Sequence, residues 1–160
     1  MTKIQALVVS AALAIGMAVP ASAATTDPEV LIYRFPGVRD DGSVGGVGVA
    51  TAFFCTNFSG VTETLRFVTR NGDTVIASNL TIPIEHLTTK SAQTHATLYA
   101  NVNLFLPAPG GGINSGTTAI AATSTNIICT AMVIDAANTK PTFAVSLRGI
   151  RFNSAPGSQE

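Results

Sequence analysis

The chain has 160 residues, with 9 basic and 9 acidic side chains and a formal net charge of zero. Charged residues make up 11% of the sequence and hydrophobic residues 46%, which is typical of one folded domain and excludes a highly charged, disordered chain. The basic residues beyond position 23 are scattered, so the sequence has no basic stripe for binding nucleic acid. They are Arg34, Arg39, Arg66, Arg70, Lys90, Lys140, Arg148 and Arg151.

Residues 1–23 have the three parts of a secretory signal peptide. A short basic start is followed by an apolar run at 4–19, and then by Ala21 and Ala23 in the A-x-A pattern of a cleavage site. The run spans about 16 residues and is shorter than the roughly 20 that a transmembrane helix needs. We therefore expect cleavage before Ala24, export to the periplasm or the medium, and a mature chain without a transmembrane segment.

Runs of β-forming residues separated by turn signals predict that residues 24–160 form a single all-β domain. The clearest local signal is a hairpin with strands at 61–70 and 74–82. These strands are joined by Asn71-Gly72, a pair that suits the positive φ angles of a tight hairpin turn.

The other predicted strands and loops alternate along an ordered core at 29–152, which is followed by a flexible tail at 153–160. The strands are 29–35, 47–56, 94–106, 117–123, 127–135 and 142–152, and the loops are 36–46, 83–93 and 107–116. The nearly all-apolar run at 127–135 is expected to be a central strand that is buried on both faces. Seven or eight strands in this pattern favour an antiparallel β-sandwich, with a small ligand-holding barrel as the alternative.

Cys55 and Cys129 are the only cysteines, and each lies in the middle of a predicted strand. Side chains of a strand point alternately to its two faces, and the residues on the same face as each cysteine are apolar. Both cysteines are therefore expected to point into the core. An even number of cysteines in an exported chain favours a disulfide between them. The alternative, a redox-active or metal-binding pair, lacks a C-x-x-C motif and a neighbouring histidine.

The two histidines, His86 and His95, are the first candidates for a metal site, with Glu85 beside them. Both are expected to face solvent, His95 from the polar face of its strand. Glu63 and Glu85 are the glutamates of the central body, and nothing in the sequence brings them into one cleft, as glycoside hydrolysis would require. We therefore expect no catalytic residue, no cofactor and no metal, and predict that the protein is not an enzyme.

Several short motifs are interpreted as structural rather than functional. Ser43 lacks the first glycine of a nucleophile elbow, and Gly46-Val47-Gly48 lacks the third glycine of a dinucleotide fingerprint. The run at 40–43 resembles a calcium-loop fragment, but it has few carboxylates and is expected to be a solvated turn. Asn57-Phe58-Ser59 and Asn79-Leu80-Thr81 match the glycosylation sequon, which export would permit.

Two stretches, 52–77 and 119–135, resemble small exported bacterial β-sandwich proteins of the immunoglobulin-like kind. The first, AFFCTNFSGVTETLRFVTRNGDTVIA, has a cysteine-bearing strand that leads into Thr-Asn and then an Asx-Gly hairpin. The second, AIAATSTNIICTAMVID, has Ile-Cys-Thr-Ala in a late strand. The resemblance implies an immunoglobulin-like sandwich and a disulfide between Cys55 and Cys129, and it carries over no catalytic residue.

These features predict an exported, non-catalytic β-sandwich that acts through its surface, chiefly through the loops at 36–46, 83–93 and 107–116. The expected partner is an envelope or extracellular protein, or a glycan. The alternative function is a structural subunit that is joined to its neighbours by strand addition, with 29–35 as the candidate edge strand.

Overall fold

The computed structural model describes residues 29–43, 46–106 and 112–152, and they form ten β-strands in two five-stranded sheets. The strands are β1 (Val30–Asp40), β2 (Val49–Asn57), β3 (Glu63–Asn71), β4 (Thr74–Ile84), β5 (Thr89–Gln93), β6 (Leu104–Phe105), β7 (Ile113–Ala122), β8 (Ile127–Asp135), β9 (Ala144–Leu147) and β10 (Ile150–Arg151). No helix occurs in these ranges, and hence none there is long and apolar enough to cross a membrane. The prediction of an all-β fold is confirmed.

The strand order is β10-β1-β7-β3-β4 in the first sheet, here called sheet A, and β6-β5-β2-β8-β9 in the second, sheet B. All neighbouring strands run antiparallel except β5 and β6. Among the described residues, consecutive strands change sheet six times: at β1→β2, β2→β3, β4→β5, β6→β7, β7→β8 and β9→β10. Because one apolar core draws on strands of both sheets, the sheets pack face to face as a sandwich.

The core is built around three phenylalanines, Phe35 of β1, Phe53 of β2 and Phe67 of β3, which are all buried. The ring centroids of Phe35 and Phe53 lie 5.6 Å apart, and those of Phe53 and Phe67 lie 6.2 Å apart. Each such contact between non-parallel rings contributes about 0.5–1.5 kcal/mol beyond the burial of apolar area. Aromatic rings therefore occupy the centre of the sandwich, where a ligand-holding barrel would keep a cavity.

The predicted hairpin is confirmed as β3 and β4. Asn71 pairs with Thr74, which leaves Gly72 and Asp73 as the two-residue turn. Gly72 has a φ of 60°, the left-handed conformation that this turn needs and that residues with a Cβ adopt at a cost. The Asn-Gly signal located the hairpin, but Asn71 is the last paired residue of β3, so the turn lies one residue later than the predicted Asn71-Gly72 pair.

The prediction of a loop at 36–46 is wrong for residues 36–40, which continue β1. These residues pair with β7, and the register shifts on either side of Val38. Such irregularities let a ladder continue past Pro36, which has no N–H to donate.

The candidate edge strand 29–35 is not an edge of its sheet. β1 lies between β7 and β10, with Tyr33 opposite Arg151 and Arg34 opposite Ile150. The backbone N–H of Phe152 also donates to the carbonyl oxygen of Ile32 at 3.0 Å.

The prediction of a strand at 94–106 is wrong for most of this segment, because residues 94–103 form bends and irregular backbone. Only Leu104 and Phe105 have strand pairing, to β5 in parallel. Alternating apolar residues suggested a strand, yet Leu98 is 57% exposed. The preceding stretch at 83–93 is more regular than predicted, since it contains the end of β4 and all of β5.

The predicted strand at 142–152 divides into β9 and β10, which belong to different sheets. Gly149 lies at the crossing, and a Cβ there would stand 2.5 Å from a ring carbon of Phe35. The absence of a side chain at Gly149 thus allows the chain to turn tightly over the core. The predicted tail at 153–160 and the predicted signal peptide at 1–23 lie outside the described residues.

β8 has the predicted bounds and lies between β2 and β9, but it is not buried on both faces. Ile128 is 48% exposed and Thr130 is exposed, whereas Ile127 and Cys129 face the core. The prediction of burial on both faces relied on the nearly all-apolar sequence of the strand, which includes outward-pointing residues such as Ile128.

Cys55 of β2 and Cys129 of β8 stand directly opposite each other in sheet B. Their sulfur atoms are bonded at 2.11 Å, and both residues are buried. The predicted pairing of the two cysteines is therefore present, as a bridge between neighbouring strands of one sheet.

Candidate functional site

The structure buries His95 at the point where the segment after β5 meets the end of β1. The Nδ1 atom of His95 lies 2.8 Å from Oδ2 of Asp40, and its Nε2 atom lies 2.8 Å from the carbonyl oxygen of Val47. Both side chains are less than one-tenth exposed. The prediction that His95 faces solvent is therefore wrong. The prediction of a solvated turn at 40–43 is wrong for Asp40, which is buried at the end of β1, whereas Asp41 is exposed.

The contacts of His95 define where the hydrogens of its ring lie. A carbonyl oxygen only accepts, so the Nε2 atom must carry the hydrogen that it donates to Val47. The Nδ1 atom and Oδ2 of Asp40 share the second hydrogen bond of the ring. Together the two contacts link the end of β1 and the segment after β5 to the loop that precedes β2.

Asp41 lies beside this pair and shapes the same loop. Its carboxylate accepts hydrogen bonds from the backbone N–H groups of Ser43 and Val49, each at 3.0 Å. Burial raises the pKa of the Asp41 carboxyl, but these two N–H donors and the nearby charge of His95 outweigh that effect, and the pKa lies below its usual value.

Asp40, Asp41 and His95 bring ligand-type atoms within 4.8 Å of one another, as a metal site would require. Each of these atoms is already engaged. Asp40 accepts from the N–H of Gly42 at 2.8 Å and shares a hydrogen bond with Nδ1 of His95, while Nε2 of His95 donates to Val47. A metal ion would have to replace these hydrogen bonds, so the arrangement suits a structural clamp better than a metal centre.

Glu85 and His86, which the sequence suggested as metal ligands together with His95, lie elsewhere. Glu85 and His86 are exposed residues of the turn between β4 and β5. Nδ1 of His86 accepts from the N–H of Gly60 at 3.0 Å, and Glu85 forms an ion pair with Lys90 at 3.1 Å. The backbone N–H of Glu85 and the nearby Lys90 lower the pKa of the Glu85 carboxyl. The hydrogen-bond partners of the His95 ring are Asp40 and Val47 rather than Glu85 or His86.

Asn57, the first residue of one glycosylation sequon, is fully buried. Its Nδ2 atom donates to the carbonyl oxygens of Val61 at 2.7 Å and Ile84 at 2.9 Å, and its Oδ1 atom accepts from the N–H of Ser59 at 2.8 Å. Because its amide nitrogen is enclosed and occupied, Asn57 is a structural residue of the folded domain. The side chain of Asn79, in the other sequon, lies outside the described part of the chain.

Asp135 is a second polar anchor that the sequence did not single out. It accepts hydrogen bonds from Asn138 Nδ2 at 2.8 Å, from the N–H of Ala137 at 2.9 Å, and from both the N–H and the hydroxyl of Thr142. These four donors lower the pKa of the Asp135 carboxyl well below its ordinary value. The carboxylate thereby holds together the turn that connects β8 and β9.

Aromatic and hydroxyl groups share the outward side of sheet B. The ring of Phe54 on β2 meets that of Tyr99 edge-on at 6.3 Å, and Tyr99 is 44% exposed. The hydroxyls of Thr56 and Thr89 lie 2.8 Å apart on neighbouring strands. We call this surface the aromatic face; its members are Phe54, Thr56, Thr89, Tyr99, Ile128 and Thr130.

The aromatic face carries no charge on its strands. Alternation places Phe53, Cys55 and Cys129 toward the core, so their neighbours in β2 and β8 point outward. Among the described strand residues of sheet B that point outward, none is Asp, Glu, Lys or Arg. The face is thus exposed, partly apolar and neutral.

The outward side of sheet A differs in charge. Arg34, Arg66 and Arg70 project from it, because β1, β7 and β3 place all three on the side away from Phe35 and Phe67. Arg66 forms an ion pair with Glu29 at 2.5 Å. The sequence showed these arginines only as scattered residues, since their common side follows from the order of the strands.

Comparison with protein-family models, curated proteins and solved structures finds no match for the chain.

Proposed function

We propose that the protein is an exported, non-catalytic β-sandwich that binds a neutral glycan of the cell envelope or its surroundings through the aromatic face. The single observation that carries the proposal is the contact of the half-buried Phe54 with the exposed Tyr99, beside a row of threonines on an uncharged sheet surface. Aromatic rings stack on the apolar faces of sugar rings, and threonine hydroxyls can donate to and accept from sugar hydroxyls.

Export is supported by the signal-peptide pattern at 1–23 and agrees with the disulfide, since disulfides persist in oxidising compartments. The immunoglobulin-like character is supported by the two packed sheets, whose strands are antiparallel except for β5 and β6. A non-catalytic role is supported by the engagement of the buried His95, whose two nitrogens both face hydrogen-bond acceptors.

The test uses the protein expressed from the full sequence, with its own leader, and purified from the exported fraction. Retention on insoluble cellulose and chitin is compared for the wild type, Tyr99→Ala and the control Val61→Ala, which removes a 62% exposed apolar side chain from a turn outside the aromatic face. We expect Tyr99→Ala to weaken retention about tenfold, the change that about 1.4 kcal/mol produces, and Val61→Ala to leave it unchanged.

Salt separates this proposal from binding by the arginines of sheet A. Binding to a neutral face should change little between about 0.1 M and 1 M salt, whereas contacts to a polyanion weaken steeply. Equal retention of wild type and Tyr99→Ala, or retention on heparin that salt abolishes with none on neutral polysaccharide, would contradict the proposal.

A further inference from the structure

β4 is the one long strand at a sheet edge among the described residues. It spans Thr74–Ile84, 11 residues, and pairs with β3 alone. The other edge strands are much shorter: β6 and β10 have 2 residues each and β9 has 4. One side of the β4 backbone therefore lacks a partner strand within the described part of the protein.

This edge has few of the features that keep edge strands apart. Its sequence, TVIASNLTIPI, contains no charged residue. Natural edge strands are usually short, or they carry charged side chains that prevent pairing with another chain. Here Pro83 and the register shifts near Ala77 interrupt the edge, but they leave uncharged stretches between them.

The core beneath β4 is incompletely covered. Ile76, Leu80 and Ile82 pack against the buried cluster but are themselves only partly buried. In contrast, Ile84 at the end of the strand is fully buried. A further strand alongside β4 would cover these three apolar side chains and pair the open backbone groups.

A second copy of this chain fits that position. Two β4 strands can pair antiparallel about a two-fold axis, so that the same surface serves both partners. Antiparallel pairing continues the arrangement of sheet A. The formal net charge of zero and the uncharged edge leave little electrostatic repulsion between copies.

We propose that the protein forms a homodimer in which the β4 strands of two copies pair antiparallel and join their A sheets. The aromatic face belongs to sheet B, so dimerisation leaves it exposed in both copies. The dimer would then present two glycan-binding faces, although its formation does not depend on glycan binding.

Sedimentation of the protein purified from the exported fraction tests the proposal over a range of protein concentrations. We expect the average mass to rise toward twice the monomer mass. Thr81→Lys and Val75→Lys, at exposed positions of β4, should weaken dimerisation about tenfold or more, because each adds a positive charge from both copies to the shared edge, and charged side chains on an edge strand oppose pairing with another chain. Val145→Lys is the matched control on the β9 edge, where Val145 is 58% exposed.

Hydrogen exchange supplies a second measurement. Backbone N–H groups of β4 should become more protected as concentration rises, and those of β9 should not. A wild type that stays monomeric at about 1 mM would overturn the proposal, as would a dimer that Val145→Lys weakens as much as the two β4 variants. Unchanged near-UV circular dichroism shows that each variant is folded, and unchanged cellulose retention separates this test from that of the glycan proposal.

Discussion

Nδ1 of His95 lies 2.8 Å from Oδ2 of Asp40, although the two residues are 55 positions apart in the sequence. Their contact connects the end of β1 to the segment that follows β5. The further bond from His95 to Val47 adds the loop that leads into β2. Three separate parts of the chain thus meet at one side chain.

Removing one partner of this pair should destabilise the fold strongly. His95→Ala or Asp40→Ala removes one side chain of the pair and leaves the other buried polar group without its partner, and we expect each to lower the free energy of unfolding by about 3 kcal/mol. The double variant should lose much less than the sum of the two, because both changes remove the same interaction. Urea unfolding of the four proteins measures this coupling, and additive losses would show that the two side chains act independently.

The turn between β8 and β9 should depend on pH through Asp135. Since folding lowers the pKa of Asp135, its ionised form stabilises the fold above the ordinary pKa of 3.8, and that contribution disappears as pH falls below this value. Asp135→Asn should therefore melt at a lower temperature than the wild type at neutral pH, and the difference should shrink as pH falls below 3.8.

Asp73→Asn is the control for this experiment. Asp73 is exposed in the β3–β4 turn, and its carboxylate accepts one long hydrogen bond, from Thr74 at 3.3 Å. Its substitution should have little effect on the melting temperature at neutral pH. A difference between Asp135→Asn and wild type that stays constant from neutral to acidic pH would refute the assigned role.

The disulfide should contribute substantially to stability. It closes a span of 74 positions, for which the loss of chain entropy in the unfolded state corresponds to about 4 kcal/mol. The double variant Cys55→Ala/Cys129→Ala should unfold at a correspondingly lower urea concentration. Oxidised and reduced wild type should differ in mass by about 2 Da, and free thiols in the native protein would contradict the bridge.

Gly72 should be sensitive to any side chain that resists a left-handed conformation. Because Gly72 has a φ of 60°, Gly72→Val is expected to lower the free energy of unfolding by about 1–2 kcal/mol. Asp73→Ala changes the neighbouring turn residue and should cost much less. Comparable losses from both variants in urea unfolding would mean that the backbone conformation at Gly72 is not what limits the turn.

Local signals predicted the parts of this fold that local chemistry controls. The Asn71-Gly72 pair specifies the β3–β4 hairpin, and the apolar run at 127–135 specifies β8, because turn geometry and strand preference act over a few residues. The segment at 94–106 shows the converse. Its apolar residues alternate as in a strand, but the segment is irregular. Its conformation includes the contact of His95 with Asp40, a residue far away in the sequence.

The site was harder to predict than the fold, for the same reason. Neither the burial of His95 nor the common side of Arg34 and Arg70 follows from neighbouring residues, since both depend on which strands lie side by side. The contact between Phe54 and Tyr99 likewise requires the segment after β5 to fold back over sheet B. Sequence patterns identified candidate residues, but they did not predict which of these residues lie side by side in the folded protein.

The bridge between Cys55 and Cys129 also determines how the molecule would respond to force. All five strands from β3 to β7 lie between the two cysteines, so a pull on the chain ends is carried past them by the sulfur–sulfur bond. At about 3.5 Å for each extended residue, the bridge withholds about 260 Å of contour length. The unfolded oxidised protein therefore has a much shorter maximum extension between its chain ends than the unfolded reduced protein.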